Sequence, residues 1–163
     1  MKVAAIIENE MSVGGGFSMS SDLLLQIQEV CKNQNYHLKI YNFCEENIET
    51  LKKINIENEF LKDSLFDKIF ALINFSLIGS YIQRKIKIKT LFEKKLVKDN
   101  VDFVLFVTPS PKPFYLQKIN YAITIMDICH RDFPEFSEVS EYNIFALREK
   151  LLHSCLGPST FAI

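Results

Sequence analysis

The strongest regularity of this sequence is the alternation of apolar runs with amphipathic segments. A continuous apolar run is typical of a strand that is buried on both faces of a sheet. Such runs predict strands at four places: Lys2–Ile7, Leu38–Phe43, Val101–Val107 and Tyr121–Met126. Apolar residues at helical spacing predict helices between and after these strands, at Ser18–Lys32, Glu45–Lys53 and Ser137–His153.

The segments between these elements give weaker or different patterns. We predict two helices at about 60–77 and 80–98, although the alternation of lysine and isoleucine in Lys85–Lys89 is a competing signal for a strand. Thr108–Pro113 is expected to be a loop, because three prolines at alternate positions prevent both helix and ladder hydrogen bonds. Two more loops and the start of a last strand are predicted at Asp127–Phe136, Cys155–Thr160 and Phe161–Ile163.

Strands that alternate with helices favour an α/β fold in which helices cover both faces of a parallel sheet. We therefore expect residues 1–163 to form a single domain with a Rossmann-like three-layer architecture. Ligands of such sheets bind beyond the carboxyl ends of the strands. Three segments of unusual composition follow predicted strands, and we expect them to share one cleft: Glu8–Phe17, Thr108–Phe114 and Asp127–Phe136.

Composition and charge exclude several classes of protein. Apolar residues make up 48% of the chain and charged residues 24%, which are ordinary values for a globular protein and exclude a disordered one. A net charge of −1 gives no indication of nucleic-acid binding. The four cysteines form no CxxC pair, which argues against a zinc ribbon. With no signal peptide recognisable after Met1, we expect a cytoplasmic protein with reduced thiols.

Glycine is concentrated at one place. Three of the five glycines form the run Gly14, Gly15 and Gly16 between a predicted strand and a predicted helix. Glycine lets backbone amides approach a ligand closely, and a helix start carries partial positive charge, so this turn suits a phosphate. The run matches neither GxGxxG nor a P-loop, and a flexible connection without a ligand is the alternative.

Asp127–Phe136 concentrates polar groups directly after a core strand. His130 can carry a proton near neutral pH, and Asp127 can orient a hydroxyl or a histidine. Arg131 can pair with an anion or with Asp132. The alternative is a solvated loop in which Arg131 pairs locally.

Arg84–Lys98 is rich in lysine, with apolar residues interleaved. It suits peripheral contact with an anionic membrane surface, which for a cytoplasmic protein is the inner face. The alternative is a helix whose lysines are solvated and whose apolar side packs inward.

Asp127–Phe136, followed by Arg148-Glu149 in the next helix, resembles the N-terminal domain of retaining GT-B glycosyltransferases of the group 1 type. The resemblance implies the N-terminal half of a GT-B fold, which binds the acceptor and transfers a sugar from a nucleotide-sugar donor to a glycan or lipid-linked acceptor. It implies no metal and no cofactor other than the donor substrate.

The same resemblance implies roles for individual residues. The amides of Gly14, Gly15 and Gly16 would bind the donor diphosphate, and His130 and Asp127 would be catalytic. The rim of the acceptor site would be formed by Arg131, Asp132, Glu135, Pro109 and Ser110.

Two departures from the family pattern matter. Met126 stands where many relatives carry a histidine, and no C-terminal donor-binding domain follows. We therefore expect a truncated or split product, or one domain taken alone from a longer protein, inactive until a C-terminal domain completes it. A non-catalytic Rossmann-like or flavodoxin-like module that binds a phosphate-bearing ligand is the alternative.

Overall fold

The computed structural model describes residues 1–11, 16–75, 89–108, 110–125, 129–132, 144–156 and 161–162. Within these residues, six strands are formed: β1 (Lys2–Ile7), β2 (His37–Asn42), β3 (Glu59–Phe60), β4 (Phe103–Phe106), β5 (Asn120–Ile123) and β6 (Phe161–Ala162). The α-helices are α1 (Gly16–Asn33), α2 (Asn47–Lys53), α3 (Leu65–Phe75), α4 (Leu91–Lys98), α5 (Cys129–Asp132) and α6 (Ile144–Leu156), and a 3-10 helix spans Lys112–Tyr115.

The described strands form one sheet in the order β3-β2-β1-β4-β5-β6, and every neighbouring pair is parallel. This is the strand order of the Rossmann fold. Without the two-residue strand β3, the other five strands would have the flavodoxin-like order instead. In both orders, successive strands are added towards one edge of the sheet from β1 to β3 and towards the other edge from β4 onward. The boundary between β1 and β4 is therefore the switch point of the sheet. The predicted Rossmann-like α/β fold is confirmed.

Side chains of the central strands alternate between two apolar layers. From β1, Ala4 and Ile6 join one buried cluster with Phe92 of α4. The residues between and after them, Ala5 and Ile7, join a second cluster on the opposite face. That second cluster includes Leu24 of α1 and Leu51 of α2. Burial on both faces explains why β1 is a continuous apolar run.

Three helices end in the same way, with an asparagine in the left-handed region. Asn35, Asn55 and Asn100 have φ angles of 56°, 55° and 56°. After each asparagine, the next residue donates its amide back into the last helical turn, as Val101 N does to the Leu96 carbonyl at 3.0 Å. This is the Schellman arrangement, which most proteins build with glycine. In this glycine-poor chain, asparagine takes that place.

Some local predictions are wrong. The helix predicted over 80–98 does not run through Lys89 and Thr90. Helix α4 begins at Leu91, and Thr90 caps it by accepting a hydrogen bond from the Glu93 amide. Residues 76–88, which include the Lys85–Lys89 alternation except for Lys89, lie outside the described residues.

Two predicted loops contain helical turns. Lys112–Tyr115 forms a 3-10 helix, which tolerates Pro113 because a proline in the first turn sacrifices no helical hydrogen bond. Within Asp127–Phe136, residues 129–132 form the short helix α5. Among the described residues, no helix has both the length and the apolar character needed to cross a membrane.

Candidate functional site

Polar side chains meet at the switch point, where β1 and β4 end. The Glu8 amide donates to Thr108 Oγ1 at 3.3 Å, which ties the two strand ends together. The Ser110 hydroxyl donates to Glu8 Oε2, and it accepts a hydrogen bond from the Lys112 amide at 3.0 Å. The segments after β1 and β4 thus adjoin, as the sequence predicts for Glu8–Phe17 and Thr108–Phe114.

Lys112 is the buried centre of this network. Its side chain is 0% exposed, and its ammonium forms an ion pair with Asp63. The ammonium also lies 3.5 Å from Glu8 Oε1 and 3.9 Å from the centroid of the Phe43 ring. A buried ammonium needs such compensation, because it has lost its hydration. Lys112 therefore connects the segments that follow four different strands, β1, β2, β3 and β4.

Two buried asparagines hold the loop after β2 in place. Asn42 donates to the Cys44 carbonyl at 2.7 Å and accepts from the Cys44 amide at 3.1 Å, which folds the loop back on itself. Asn47 accepts from the Met11 amide at 2.8 Å and donates to the Asn9 carbonyl at 2.9 Å. The loops after β1 and β2 are therefore fixed relative to each other by amide hydrogen bonds.

These loops border an open cleft of about 420 Å³, here called the edge cleft. It lies over the carboxyl ends of β1, β2 and β3. Its lining combines four carboxylates, two lysines, two aromatic rings and a thiol, from Glu8, Phe43, Cys44, Glu45, Glu46, Phe60, Lys62, Asp63 and Lys68. Carboxylates thus outnumber the lining lysines by two, and by one when the buried Lys112, which pairs with Glu8 and Asp63, is included.

The polar groups of the edge cleft differ in how far they are already engaged. The Cys44 thiol donates to Glu46 Oε2 at 2.8 Å, and burial raises the pKa of this thiol, so Cys44 stays protonated near neutral pH. The hydrogen bond from Cys44 lowers the pKa of Glu46. Within the described part of the chain, the Glu45 carboxylate makes no hydrogen bond or ion pair, so it is available to a ligand.

The structure describes only some of the residues predicted for the site. Ser110 is buried beside Glu8 at the switch point and does not line the edge cleft. Gly16 is the first residue of α1. Arg131 forms an ion pair with Glu149 of α6, with Nε–Oε1 and Nη2–Oε2 distances of 2.6 and 3.0 Å. The partner of Arg131 is therefore on another helix, 18 residues along the chain, and is not Asp132, which is exposed in α5.

Other predicted site residues cannot be placed relative to the edge cleft. Pro109, Asp127, Gly14, Gly15 and Glu135 lie outside the described residues. His130 lies in the short helix α5. The prediction that Asp127–Phe136 forms a wall of the cleft therefore stays a prediction.

The basic segment Arg84–Lys98 is described from residue 89 onward. In α4, Phe92 and Leu96 are buried in the core. Lys95 pairs with Glu59 at 2.8 Å and with Asp99 at 3.0 Å. In the described part of this segment, Phe92 and Leu96 therefore pack inward, whereas Leu91 and Val97 are exposed.

Sequence reasoning missed the residues that organise the site. Lys112 and Asp63 were not selected, although a lysine between Pro111 and Pro113 next to a strand end was a usable signal. The two phenylalanines of the cleft were read only as apolar residues. No group of three or more histidine, cysteine or acidic side chains is placed to hold a metal ion in the part of the chain that the structure describes.

No protein-family model matches this sequence, and no curated protein matches it. Among solved structures, one match is the crystal structure of glycosyltransferase VinC in complex with DTDP. The two share 9% sequence identity, with a TM-score of 0.46. The match covers 97% of this chain and 44% of the VinC chain, so this chain spans less than half the length of VinC. The fold assignment rests on the strand order and registers of the sheet itself.

Proposed function

We propose that this chain is the acceptor-binding N-terminal domain of a glycosyltransferase, and that the edge cleft binds a hydroxyl-rich acceptor. A second domain would supply the nucleotide-sugar donor, as the resemblance of Asp127–Phe136 to GT-B enzymes implies. The observation that carries the proposal is the chemistry of the edge cleft at the carboxyl edge of a Rossmann-type sheet, where such folds bind their ligands.

The excess of carboxylates in the edge cleft favours hydroxyl groups over phosphates. Ionised carboxylates only accept hydrogen bonds, so they bind hydroxyl donors and repel a diphosphate. Glu8 and Asp63 are held in place by Lys112, and Glu45 is available. Fixed acceptors of this kind can orient one hydroxyl of an acceptor for attack on the donor sugar.

The aromatic rings of the edge cleft suit the apolar face of a sugar ring. Phe43 and Phe60 line the edge cleft beside the carboxylates. A pyranose presents polar edges and an apolar face, and ligand sites combine apolar or aromatic walls with a few placed polar groups in the same way. The combination supports a glycan, or another ring-bearing polyol, as the acceptor.

The donor side of the reaction is proposed from the resemblance. Gly14, Gly15 and Gly16 would bind the donor diphosphate, since Gly16 begins an 18-residue helix with no acidic residue in its first turn. Asp127 and His130 remain the proposed catalytic residues, acting where the two domains meet.

A nuclear magnetic resonance titration of this chain tests the proposal. One set of samples receives the methyl glycosides of glucose, galactose, mannose and N-acetylglucosamine, and another receives a nucleoside diphosphate. We expect a glycoside to shift the backbone amides of Glu8, Phe43 and Asp63, and the diphosphate to shift Gly14–Gly16 instead. A diphosphate that shifts the cleft amides while no glycoside does would favour the phosphate-binding module.

A further inference from the structure

A second cavity of about 210 Å³ adjoins the edge cleft, between α3, the start of α4 and the 3-10 helix. We call it the α3–α4 pocket. Its apolar lining comes from Phe43, Leu61, Leu91, Phe92 and Tyr115. It shares Phe43, Lys62 and Asp63 with the edge cleft, so one wall separates the two spaces.

The acidic groups on the wall of this pocket are already satisfied by the protein. Asp67 accepts hydrogen bonds from the Leu91 amide at 2.8 Å and the Phe92 amide at 2.9 Å, which compensates the free end of α4. Asp63 pairs with Lys112 and lies 3.6 Å from Lys68. Asp67 therefore has little need of a ligand, and Asp63 is held on the wall that the pocket shares with the edge cleft.

Two further polar groups of the pocket follow the same pattern. Ser64 Oγ accepts from the Phe66 amide at 3.2 Å, and Lys95 forms ion pairs with Glu59 and Asp99. Most polar groups lining the pocket thus have partners within the described chain. A cavity whose polar groups are internally paired offers a ligand chiefly its apolar surface.

The apolar wall is held in a fixed shape by ring contacts. Phe92 meets Phe43 edge to face, with ring centroids 5.4 Å apart, and meets Tyr115 in the same way at 6.3 Å. Phe92 is buried, whereas its neighbour Leu91 is 49% exposed. The pocket therefore combines a rigid aromatic wall with a partly exposed leucine.

We propose that the α3–α4 pocket binds a compact apolar group of the acceptor while the hydroxylated part of the same molecule lies in the edge cleft. This inference rests on the proposed acceptor-binding function and narrows it to an amphipathic acceptor. The volume suits a six-membered ring or a short alkyl chain, since a cavity of about 150 Å³ already accommodates benzene.

Two matched tryptophan variants test the pocket with benzene as the probe. Leu91→Trp places a large ring on the pocket wall, whereas Val97→Trp adds the same ring on the same helix, at a 41% exposed position that does not line the pocket. We expect benzene to shift the amides of Leu61 and Phe92 in the unaltered chain and in Val97→Trp, and to lose at least tenfold in affinity in Leu91→Trp. Circular dichroism verifies that both variants fold.

Matched glycosides test the connection to the acceptor. A phenyl glycoside of a sugar that binds is expected to bind about tenfold more tightly than its methyl counterpart, and Leu91→Trp is expected to remove that gain. The inference is overturned if benzene does not bind, if both variants bind it equally, or if the phenyl group gives no gain. Failure of the methyl glycosides alone would overturn the proposed function and leave the benzene result standing.

Discussion

The Lys112 ammonium lies 3.9 Å from the centroid of the Phe43 ring and forms its ion pair with Asp63 on the segment after β3. Lys112 follows β4, and Phe43 follows β2. Since β1 lies between these two strands, one buried lysine holds together the loops on both sides of the switch point. The shape of the edge cleft therefore depends on this side chain as well as on the buried Asn42 and Asn47.

Replacing this lysine should destabilise the fold. Lys112→Met leaves the carboxylates of Glu8 and Asp63 without their shared cation, and breaking a buried pair from one side costs about 3 kcal/mol. The free energy of unfolding, measured by urea denaturation, checks this. Lys68→Met is the matched control, because Lys68 is 55% exposed and lies 3.6 Å from the same Asp63. We expect it to cost less than about 1 kcal/mol, and equal losses in the two variants would contradict the role of Lys112.

Stability should fall in acid partly through Asp99. Hydrogen bonds from Lys39 and then Tyr41 hold the pKa of Asp99 well below its usual value of 3.8. A carboxyl whose pKa is lower in the folded state stabilises the fold above its unfolded pKa, and this contribution is lost as pH falls through the folded pKa. The free energy of unfolding should therefore decline as the pH drops below about 4.

Asp99→Asn should make that decline shallower, since the asparagine has no proton to gain. Unfolding by urea at pH 7 and at pH 3 measures the difference. Asp22→Asn, at an exposed position of α1, is the control and should keep the decline of the unaltered chain. A decline as steep in Asp99→Asn as in the control would exclude Asp99 as a source of the acid sensitivity.

The asparagines that follow the helices predict a stabilising substitution. At Asn100, φ is 56°, a region that glycine enters without a steric penalty. Asn100→Gly should raise the free energy of unfolding by about 0.5 kcal/mol, and Asn100→Ala should lower it by about 1 kcal/mol. Asn33→Gly is the contrasting control, because Asn33 is still helical and glycine there should destabilise. A gain at both positions would show that the backbone conformation is not the cause.

The fold was predictable where the burial of one element is visible in its own run of apolar residues. Strand β1 occupies the predicted Lys2–Ile7 because Ala4 and Ile6 face one apolar layer while Ala5 and Ile7 face the other. The start of α4 has a local signal that the sequence analysis missed, since Thr90 caps the helix and Glu93 follows three residues later. The support from Asp67 was not predictable locally, because Asp67 lies 24 residues before Leu91, whose amide hydrogen bond it accepts.

The residues of the site were likewise only partly predictable from the sequence. The segment Thr108–Phe114, which contains Ser110, was predicted because it follows a strand, and ligands of parallel sheets bind at strand ends. The pairing of Lys112 with Asp63 joins residues 49 positions apart, and nothing in the local sequence of either indicates it. Glu8 lay within a predicted segment but gained its role only from the contacts with Ser110 and Lys112.

The most direct test of the edge cleft as an acceptor site is the affinity of Glu8→Gln for the methyl glycoside that binds the unaltered chain. Titration calorimetry measures it, with Glu57→Gln, at an exposed position outside the cleft, as the matched control. Loss of the charged acceptor beside the bound hydroxyl should weaken binding by about tenfold, as expected for a hydrogen bond to a charged group. Glu57→Gln should bind like the unaltered chain. Equal affinity in Glu8→Gln and Glu57→Gln would contradict the account.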